Sequence, residues 1–579
     1  MSRTPNLEAE FFFELGLRRS EAQAFEDAIA NFDLATQIKP DYHQVWYNRA
    51  LVLEYLGRFE EAIASYDQAT RIQSDYQEAW YSRGVLLGRL GRLEEAVASY
   101  DKVLAIQPDN ESAWYDRGVA LDDLGHYEEA IASYDKATEI RPENYSAWYN
   151  RGNALLNGGH YEEAIVSYDR AIKINPESHA AWNNRASALA YLGRYRQAIA
   201  SFDQAIKLKP NKEEAWNNRG RVLADGGWDN EALASFDQAL TIKPQSVEAW
   251  YNRGRVLGNL GRYEEAIASF DRVIELKPNF SEAWYNRGIA FDELKQYQEA
   301  LKSYERVNQV KPDFPEAWDK RGMALANLGR SEEALKSYSR ATELKTDFYE
   351  CWYNQGRLLF DLERYREAIA SYEKAVAIKP DLYQAWYNRG NALGNLGCYE
   401  EAIDSYNRVL AIQPNHYKAC YNKGNFLKNL GRYEEAIVSY DQVLKLQPDF
   451  YLAWNNRGIV LDELARFPEA IASYNQANQI QPDYFEAWNN KAIALANLGR
   501  FAEAIASHEE AEKLQPDNAD TFYNKACCYA LQGKVEQAVL NLRRALKINH
   551  QRYQAMAEVD SDFDGIRLQE AFKDLIQGM

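Results

Sequence analysis

The chain has 579 residues, of which 46% are hydrophobic, and its 86 acidic against 67 basic residues give a formal net charge of −19. This acidity disfavours nucleic acid and anionic membrane surfaces as partners, because both need a basic footprint. Five cysteines without disulfide or metal-ligand spacing predict a reducing compartment, and we expect a cytoplasmic location. We find no signal-peptide core at the N-terminus and no apolar run of membrane-spanning length.

A tryptophan recurs every 34 residues through most of the chain, which is typical of stacked helical hairpins. Phe12 and Phe522 stand in the same column, fifteen periods apart, so the array has sixteen units from Ala9 to Arg552 without insertion or deletion. We number each unit so that the tryptophan is position 4, and we expect its ring to be buried. Thirteen of the fourteen tryptophans occupy this column: Trp46, Trp80, Trp114, Trp148, Trp182, Trp216, Trp250, Trp284, Trp318, Trp352, Trp386, Trp454 and Trp488.

Residues 1–8 form an N-terminal extension, and residues 9–552 form the array. In each unit, apolar residues at positions 4, 7 or 8, 11 and 14, and again at 17, 20, 21, 24 and 27, predict two amphipathic helices. Glycine at position 15 in twelve units ends the first helix, and proline at position 32 in thirteen units ends the second. Small residues at positions 8 and 20 in every unit let the two helices approach closely.

Residues 553–579 leave the repeat register but keep apolar side chains among charges, which predicts one or two helices that cap the last unit. The segment Asp560 to Gly565 imitates the start of a calcium-binding loop. The glutamate that such a loop needs at its twelfth position is replaced by Ala571, so we predict no metal site.

A typical unit, AWYNRGRVLGNLGRYEEAIASFDRVIELKPN from Ala249 to Asn279, resembles the tetratricopeptide repeat family. The resemblance covers the whole array, and the chain is similar to the long, regular, stand-alone arrays common in bacteria, especially cyanobacteria. It implies an all-α, right-handed superhelical solenoid whose first helices line a concave groove. In this family, positions 2, 5, 6, 9, 12 and 13 of the first helix hold peptide or protein ligands.

Position 6 of this implied groove is asparagine in twelve units when the terminal unit is included, and position 5 is often tyrosine. Carboxamides both donate and accept hydrogen bonds, so a ladder of them suits a peptide backbone. The alternative is that the asparagines and tyrosines contact neighbouring units instead. The candidate groove residues are Asn354, Asn388, Asn422, Asn456 and Asn490 at position 6, Arg357, Asn391 and Asn425 at position 9, and Tyr353, Tyr387 and Tyr421 at position 5.

Position 1 is aromatic in five consecutive units, which predicts either an exposed binding rim or rings packed on the preceding turn. The rim residues are Tyr349, Tyr383, Tyr417, Tyr451 and Phe485. Arginine at position 7 co-occurs with an acid at position 25, as in Arg253 and Asp271. We predict that these two pair within one unit, with pairing between adjacent units as the alternative.

Catalytic signatures are absent from the sequence: it has no phosphate-binding loop, nucleophile elbow, zinc spacing or dinucleotide fingerprint. We therefore expect no enzyme activity, cofactor or metal. The resemblance implies a scaffold that binds a peptide or protein partner in the groove, without membrane insertion or nucleic-acid binding. The alternative is an assembly or regulatory factor for a larger complex that uses the outer face or the rim; the oligomeric state stays open.

Overall fold

The computed structural model describes residues 5–577, and within them the chain forms 34 α-helices and one short 3-10 helix, with no strand. The chain divides after Leu294 into two compact units, residues 1–294 and 295–579. The division falls between the two helices of the ninth repeat. The predicted all-α repeat architecture is confirmed.

Two helices per repeat make up the N-terminal unit. Its helices are α1 Pro5–Glu21, α2 Phe25–Ile38, α3 His43–Tyr55, α4 Phe59–Ile72, α5 Gln77–Arg89, α6 Leu93–Ile106, α7 Glu111–Asp123, α8 Tyr127–Ile140, α9 Tyr145–Asn157, α10 Tyr161–Ile174, α11 His179–Tyr191, α12 Tyr195–Leu208, α13 Glu213–Asp225, α14 Asp229–Ile242, α15 Val247–Asn259, α16 Tyr263–Leu276 and α17 Ser281–Glu293.

The C-terminal unit continues the same alternation and ends in the cap. Its helices are α18 Tyr297–Val310, α19 Pro315–Asn327, α20 Ser331–Leu344, α21 Tyr349–Asp361, α22 Tyr365–Ile378, α23 Tyr383–Asn395, α24 Tyr399–Ile412, α25 Tyr417–Asn429, α26 Tyr433–Leu446, α27 Tyr451–Glu463, α28 Phe467–Ile480, α29 Phe485–Asn497, α30 Phe501–Leu514, α31 Ala519–Leu531, α32 Val535–Ile548, α33 His550–Val559, the 3-10 helix Ser561–Phe563 and α34 Glu570–Gln577.

The turn inside each repeat has a left-handed residue at position 15. Glycine supplies it in twelve repeats, with φ between 70° and 83°. The four repeats without this glycine keep the same backbone, because Gln23, Lys295, Glu363 and Ala465 all have φ between 55° and 59°. Sixteen equal turns thus form even where the side chain opposes them, since helix packing on both sides determines the conformation.

In the fourteen repeats with tyrosine or phenylalanine at position 24, the centre of the core is the contact between that ring and the small residue at position 8. Tyr168 is fully buried, and a Cβ added to Gly152 would lie 2.6 Å from its ring. The same approach recurs between Gly220 and Phe236, also at 2.6 Å. The largest fully buried side chains of the protein are mostly these position-24 rings, so they, and not the tryptophans, form the centre of the core.

The tryptophans are half-buried, so the prediction of a buried tryptophan column is wrong. In twelve of the thirteen, the indole N–H donates to the loop that joins two repeats. Trp250 donates to the Pro244 carbonyl at 3.0 Å, and Trp80 to the Ser74 carbonyl at 3.0 Å where proline is missing. In the thirteenth repeat, where Cys420 replaces tryptophan, Gln442 Nε2 donates to the Pro414 carbonyl at 3.3 Å instead.

The arginines at position 7 connect adjacent repeats, so the predicted pairing within one repeat is wrong. Arg253 Nε lies 2.7 Å from Asp237 Oδ1 of the preceding repeat, and its Nη1 donates to Ser269 Oγ of its own repeat at 2.8 Å. The guanidinium also lies 5.7 Å from the Trp250 ring. Position 25 of the preceding second helix therefore projects toward the next repeat, which spacing within one unit could not indicate. The same bridge forms at Arg49, Arg83, Arg117, Arg151, Arg185, Arg219, Arg287, Arg321, Arg389 and Arg457.

The two ends of the array differ. Helix α33 begins at His550, and α33, the 3-10 helix and α34 cover the last repeat with buried Tyr553, Phe563 and Phe572. At the other end α1, the first of the described helices, begins at Pro5, and Leu7 and Phe11 are 56% and 47% exposed.

One repeat has a histidine at the centre of its core. His508 takes position 24 in α30 and is fully buried, and neither ring nitrogen has a hydrogen-bond partner among the described residues. Burial, and secondly Lys525, lowers the pKa of His508 to about 4. The residue across from it at position 8 is Ala492, and the sixth repeat buries Phe202 beside Ala186 at the same two positions. A phenylalanine therefore fits this site.

We expect Arg253→Gln to destabilise the interface between α14 and α15 by about 1 kcal/mol, because it removes a charge-assisted hydrogen bond whose carboxylate is half-exposed. Hydrogen exchange of α14 and α15 measures this locally, since repeat arrays unfold in segments. Arg272→Gln is the control, because Arg272 pairs only with Glu275 of its own helix on the surface. Equal effects of both changes would contradict the bridging role.

We expect His508→Phe to stabilise the fifteenth repeat by about 1–2 kcal/mol at pH 7, because two buried polar atoms without partners are removed. The gain should be larger at pH 5. The unfolded histidine, with a pKa of about 6.5, gains a proton there that the folded one does not, so the wild type loses stability as pH falls from 6.5 toward 4. Hydrogen exchange of α30 at both pH values is the measurement, with exposed His126 replaced by Gln as the control. A gain that is independent of pH would show that His508 is not buried as the neutral form.

Candidate functional site

The first helices of successive repeats touch one another in both units, for example α5 with α7 and α27 with α29. Among the described residues, successive second helices do not contact each other to this extent. Side chains at positions 5, 6 and 9 lie where neighbouring first helices meet. We call the surface formed by positions 2, 5, 6, 9, 12 and 13 the first-helix face, and all the predicted groove residues lie on it.

Asparagines at position 6 hydrogen-bond to the tyrosine at position 5 of the preceding repeat. In the C-terminal unit, Nδ2 of Asn388 donates to Tyr353 Oη at 3.3 Å, and Nδ2 of Asn456 to Tyr421 Oη at 3.0 Å. Asn422 donates in the same way to Tyr387 at 3.3 Å, and Asn150, Asn184 and Asn286 repeat the bond in the N-terminal unit. The alternative that these side chains connect neighbouring repeats is therefore realised in the structure.

Position 9 adds a second acceptor where it is asparagine. Asn422 Nδ2 lies 3.2 Å from Asn391 Oδ1, which also accepts from the core hydroxyl of Tyr406 at 2.7 Å. Asn425 Oδ1 likewise receives Asn456 Nδ2 at 3.0 Å. The amide groups are thus held in one orientation by the repeats around them. Of the described residues, none donates to Oδ1 of Asn388 or Asn422, so these oxygens are open to a ligand.

At both ends of the row of position-6 asparagines from Asn354 to Asn490, the residue that accepts the hydrogen bond is no longer a tyrosine. Asn354 Nδ2 donates to Asp319 Oδ1 at 3.1 Å, because aspartate replaces tyrosine at that position 5. Burial raises the pKa of Asp319, which is only 5% exposed. At the other end Asn490 donates to Asn455 Oδ1 at 3.2 Å. Arg357 is exposed, and no described carboxylate lies within 4.0 Å of it.

The rim rings are half-buried, and four of them contact the last residues of their own repeat, where the chain leads into the next one. Tyr417 lies edge-on to Phe450 with ring centroids 6.0 Å apart, and Tyr451 lies edge-on to Tyr484 at 4.9 Å. Tyr383 meets His416 at 5.7 Å, and Lys379 lies 4.6 Å from the Tyr349 ring. Phe485 is half-buried at the start of α29. These contacts are packing contacts, and all five rings remain partly exposed.

The imitation of a calcium loop folds into the cap instead. Asp560 Oδ2 accepts from Tyr523 Oη at 2.7 Å, and Asp560 Oδ1 accepts from the Asp562 backbone N–H at 3.0 Å. Ligand atoms of Cys527, Asp560 and Asp562 lie within 4.8 Å of one another. Burial and the two aspartates raise the pKa of the Cys527 thiol, so it is neutral and donates to Asp560 at 3.8 Å. Protein donors thus bind both oxygens of Asp560, and these bonds join the cap to α31.

None of the described helices is long and apolar enough to cross a membrane. Family models described as tetratricopeptide repeat match residues 13–76, 47–111, 115–179, 183–247, 476–519 and 489–552, residues 247–280, 281–314, 383–416 and 417–450, and residues 315–348 and 451–484. A model described as TPR repeat matches residues 356–397. A search of curated proteins finds no relative of this chain.

Several solved structures are similar to parts of the chain. MamA is 25% identical, with 30% of this chain and 93% of MamA covered and a TM-score of 0.29. YrrB, described as a TPR protein with an unusual peptide-binding site, is 24% identical, with 32% of this chain and 96% of YrrB covered and a TM-score of 0.29. The C-terminal part of a TPR repeat-containing protein from Cytophaga hutchinsonii is 18% identical, covering 42% and 98%, with a TM-score of 0.38.

Proposed function

Because the chain belongs to the tetratricopeptide repeat family, we propose that it is a protein-interaction scaffold that binds an extended segment of a protein partner on the first-helix face. The segment lies along the first-helix face of the C-terminal unit, between Asn354 and Asn490. The observation that carries the proposal is the row of asparagine amides, which their neighbours hold in place while Oδ1 of Asn388 and Asn422 stays open.

Fixed acceptors favour a partner whose backbone N–H groups point toward the face. Each such hydrogen bond contributes only about 0.5–1.5 kcal/mol, so several are needed for useful affinity. Holding the amides before binding lowers the entropy cost of ordering them. Tyr353, Tyr387 and Tyr421 add apolar ring surface beside the acceptors, and exposed Arg357 provides a charge for a carboxylate of the partner.

The rim from Tyr349 to Phe485 is the second candidate surface, for a partner assembled into a larger complex. This surface is favoured because an aromatic side chain at position 1 stays partly exposed in five consecutive repeats. The proposal further includes a non-catalytic role without cofactor or nucleic acid. A cytoplasmic location fits five free cysteines, of which only Cys398 is not buried.

The test is the binding of peptides selected from a random dodecapeptide display library on the full chain. In one variant Asn388, Asn422 and Asn456 are replaced by alanine, and in its matched control Tyr353, Tyr387 and Tyr421 are replaced by phenylalanine. Both variants lose the three bonds between positions 6 and 5, and the asparagine variant also loses the bonds to Asn391 and Asn425, so its stability should fall somewhat further. Only the asparagine variant also loses the open acceptors, so we expect its affinity for the main peptide class to fall at least about tenfold, and that of the control less than about threefold.

Fluorescence anisotropy gives the affinities, and thermal unfolding shows whether the two variants are equally stable. If the asparagine variant binds as tightly as the wild type, the first-helix face of this unit is not the site. A loss of binding in Tyr383→Ala, Tyr417→Ala and Tyr451→Ala combined would then assign the site to the rim.

A further inference from the structure

Two pockets of the same construction open on the first-helix face of the N-terminal unit. Each lies beside a glycine at position 12, Gly88 in the third repeat and Gly258 in the eighth, five repeats apart. Each has a volume of about 270 Å³, which suits one side chain of a partner. A Cβ at Gly258 would meet no atom within 4 Å, and one at Gly88 only the Tyr100 hydroxyl at 3.9 Å, so the space beside both glycines is open.

The walls come from equivalent positions in both pockets. The ring at position 24, Tyr100 or Phe270, is at the base, and position 9 of the following repeat, Val119 or Ile289, forms an apolar wall. An acid stands at position 13 of the following repeat in both. In three other repeats, large side chains stand at position 12, where these pockets open: Leu156, Phe360 and Lys428. A Cβ at Gly394, the remaining glycine at this position, would collide with the Phe426 ring.

The two pockets differ in charge. At Gly88 the lining includes the carboxylates of Asp116 and Asp123, and the one cation, Arg89, is paired with Glu54 at 2.7 Å. At Gly258 the lining includes Arg255 opposite Glu293, and Asn286 replaces the first aspartate, so the formal charges cancel.

The carboxylates at the Gly88 pocket lack the cations that such groups usually have. Asp116 accepts one hydrogen bond, from Tyr81 Oη at 2.7 Å, and burial raises its pKa. A partly buried carboxylate without a cationic partner is stabilised by a ligand that carries both a positive charge and hydrogen-bond donors.

We propose that the Gly88 pocket binds an arginine or lysine side chain from an extended segment of a protein partner. The methylene stem lies between Val119 and the glycine, and the charged end donates to Asp116 and Asp123. This division of the side chain suits arginine and lysine, whose stems are apolar and whose ends are cationic. The net charge of −19 attracts basic segments over a longer range.

The inference rests on the proposed function in that both place a peptide on the first-helix face. It concerns a different unit from the Asn388 to Asn456 ladder, so either can fail without the other.

The experiment uses the same random dodecapeptide library on the full chain and compares Gly88→Leu with Gly258→Leu. Leucine at this position fills the pocket from its open side, and the fifth repeat already accommodates Leu156 there, so both variants should fold. We expect a class of enriched peptides to share an arginine or lysine. Their affinity should fall at least about tenfold in Gly88→Leu, about fivefold in Asp123→Asn, and less than about twofold in Gly258→Leu.

Replacing the shared arginine of the peptide by citrulline, which is uncharged and similar in shape, should weaken binding as much as Asp123→Asn does. Selection without enrichment of basic residues, or equal binding of basic peptides to the wild type and Gly88→Leu, overturns the pocket. If those peptides instead respond only to the alanine variant of Asn388, Asn422 and Asn456, the proposed function stands and the pocket does not. If no peptide is selected at all, both are wrong.

Discussion

The close contact between position 8 and the ring at position 24 is the constraint on which the other features of this protein depend. A Cβ at Gly152 would lie 2.6 Å from the Tyr168 ring, so the two helices are close enough that only the hydrogen atom of glycine fits between them at this position. Where alanine stands at position 8, as at Ala186, the ring is still fully buried. This distance determines where the outer positions of each helix lie, and hence which side chains reach the next repeat.

Three kinds of polar contact then join one repeat to the next. The arginine at position 7 reaches an acid of the preceding repeat, the tryptophan indole holds the connecting loop, and the asparagine at position 6 donates to a tyrosine hydroxyl. Most polar groups at these seams are therefore occupied within the protein. The groups that stay open, such as Oδ1 of Asn388 and Asn422, are the more informative ones for binding, because the structure already orients them.

Departures from the repeat pattern give individual repeats their own chemistry. Glycine in place of a larger residue at position 12 opens the pocket beside Gly88, and Asp319 in place of tyrosine puts a buried carboxylate behind Asn354. Other departures are purely structural: Gln442 replaces the tryptophan bond where Cys420 stands, and His508 leaves two nitrogens without partners in the core. A uniform scaffold with a few altered positions can in this way distinguish partners while each repeat keeps the same backbone.

The sequence by itself determined the repeat length, the two helices of each unit and the turn at position 15, because these follow from local periodicity and from residues with strong backbone preferences. It also indicated which positions face a ligand, but only through resemblance to a family. The tertiary structure decided what local pattern cannot contain: Arg253 pairs with Asp237 and not with Asp271, the tryptophans are half-buried, and the asparagines bond across repeats. Each of these depends on the angle between successive repeats, which arises from packing over many side chains. The open space beside Gly88 was likewise decided by the tertiary structure. A glycine leaves a pocket only where no neighbouring side chain fills the space, and at Gly394 the Phe426 ring fills it.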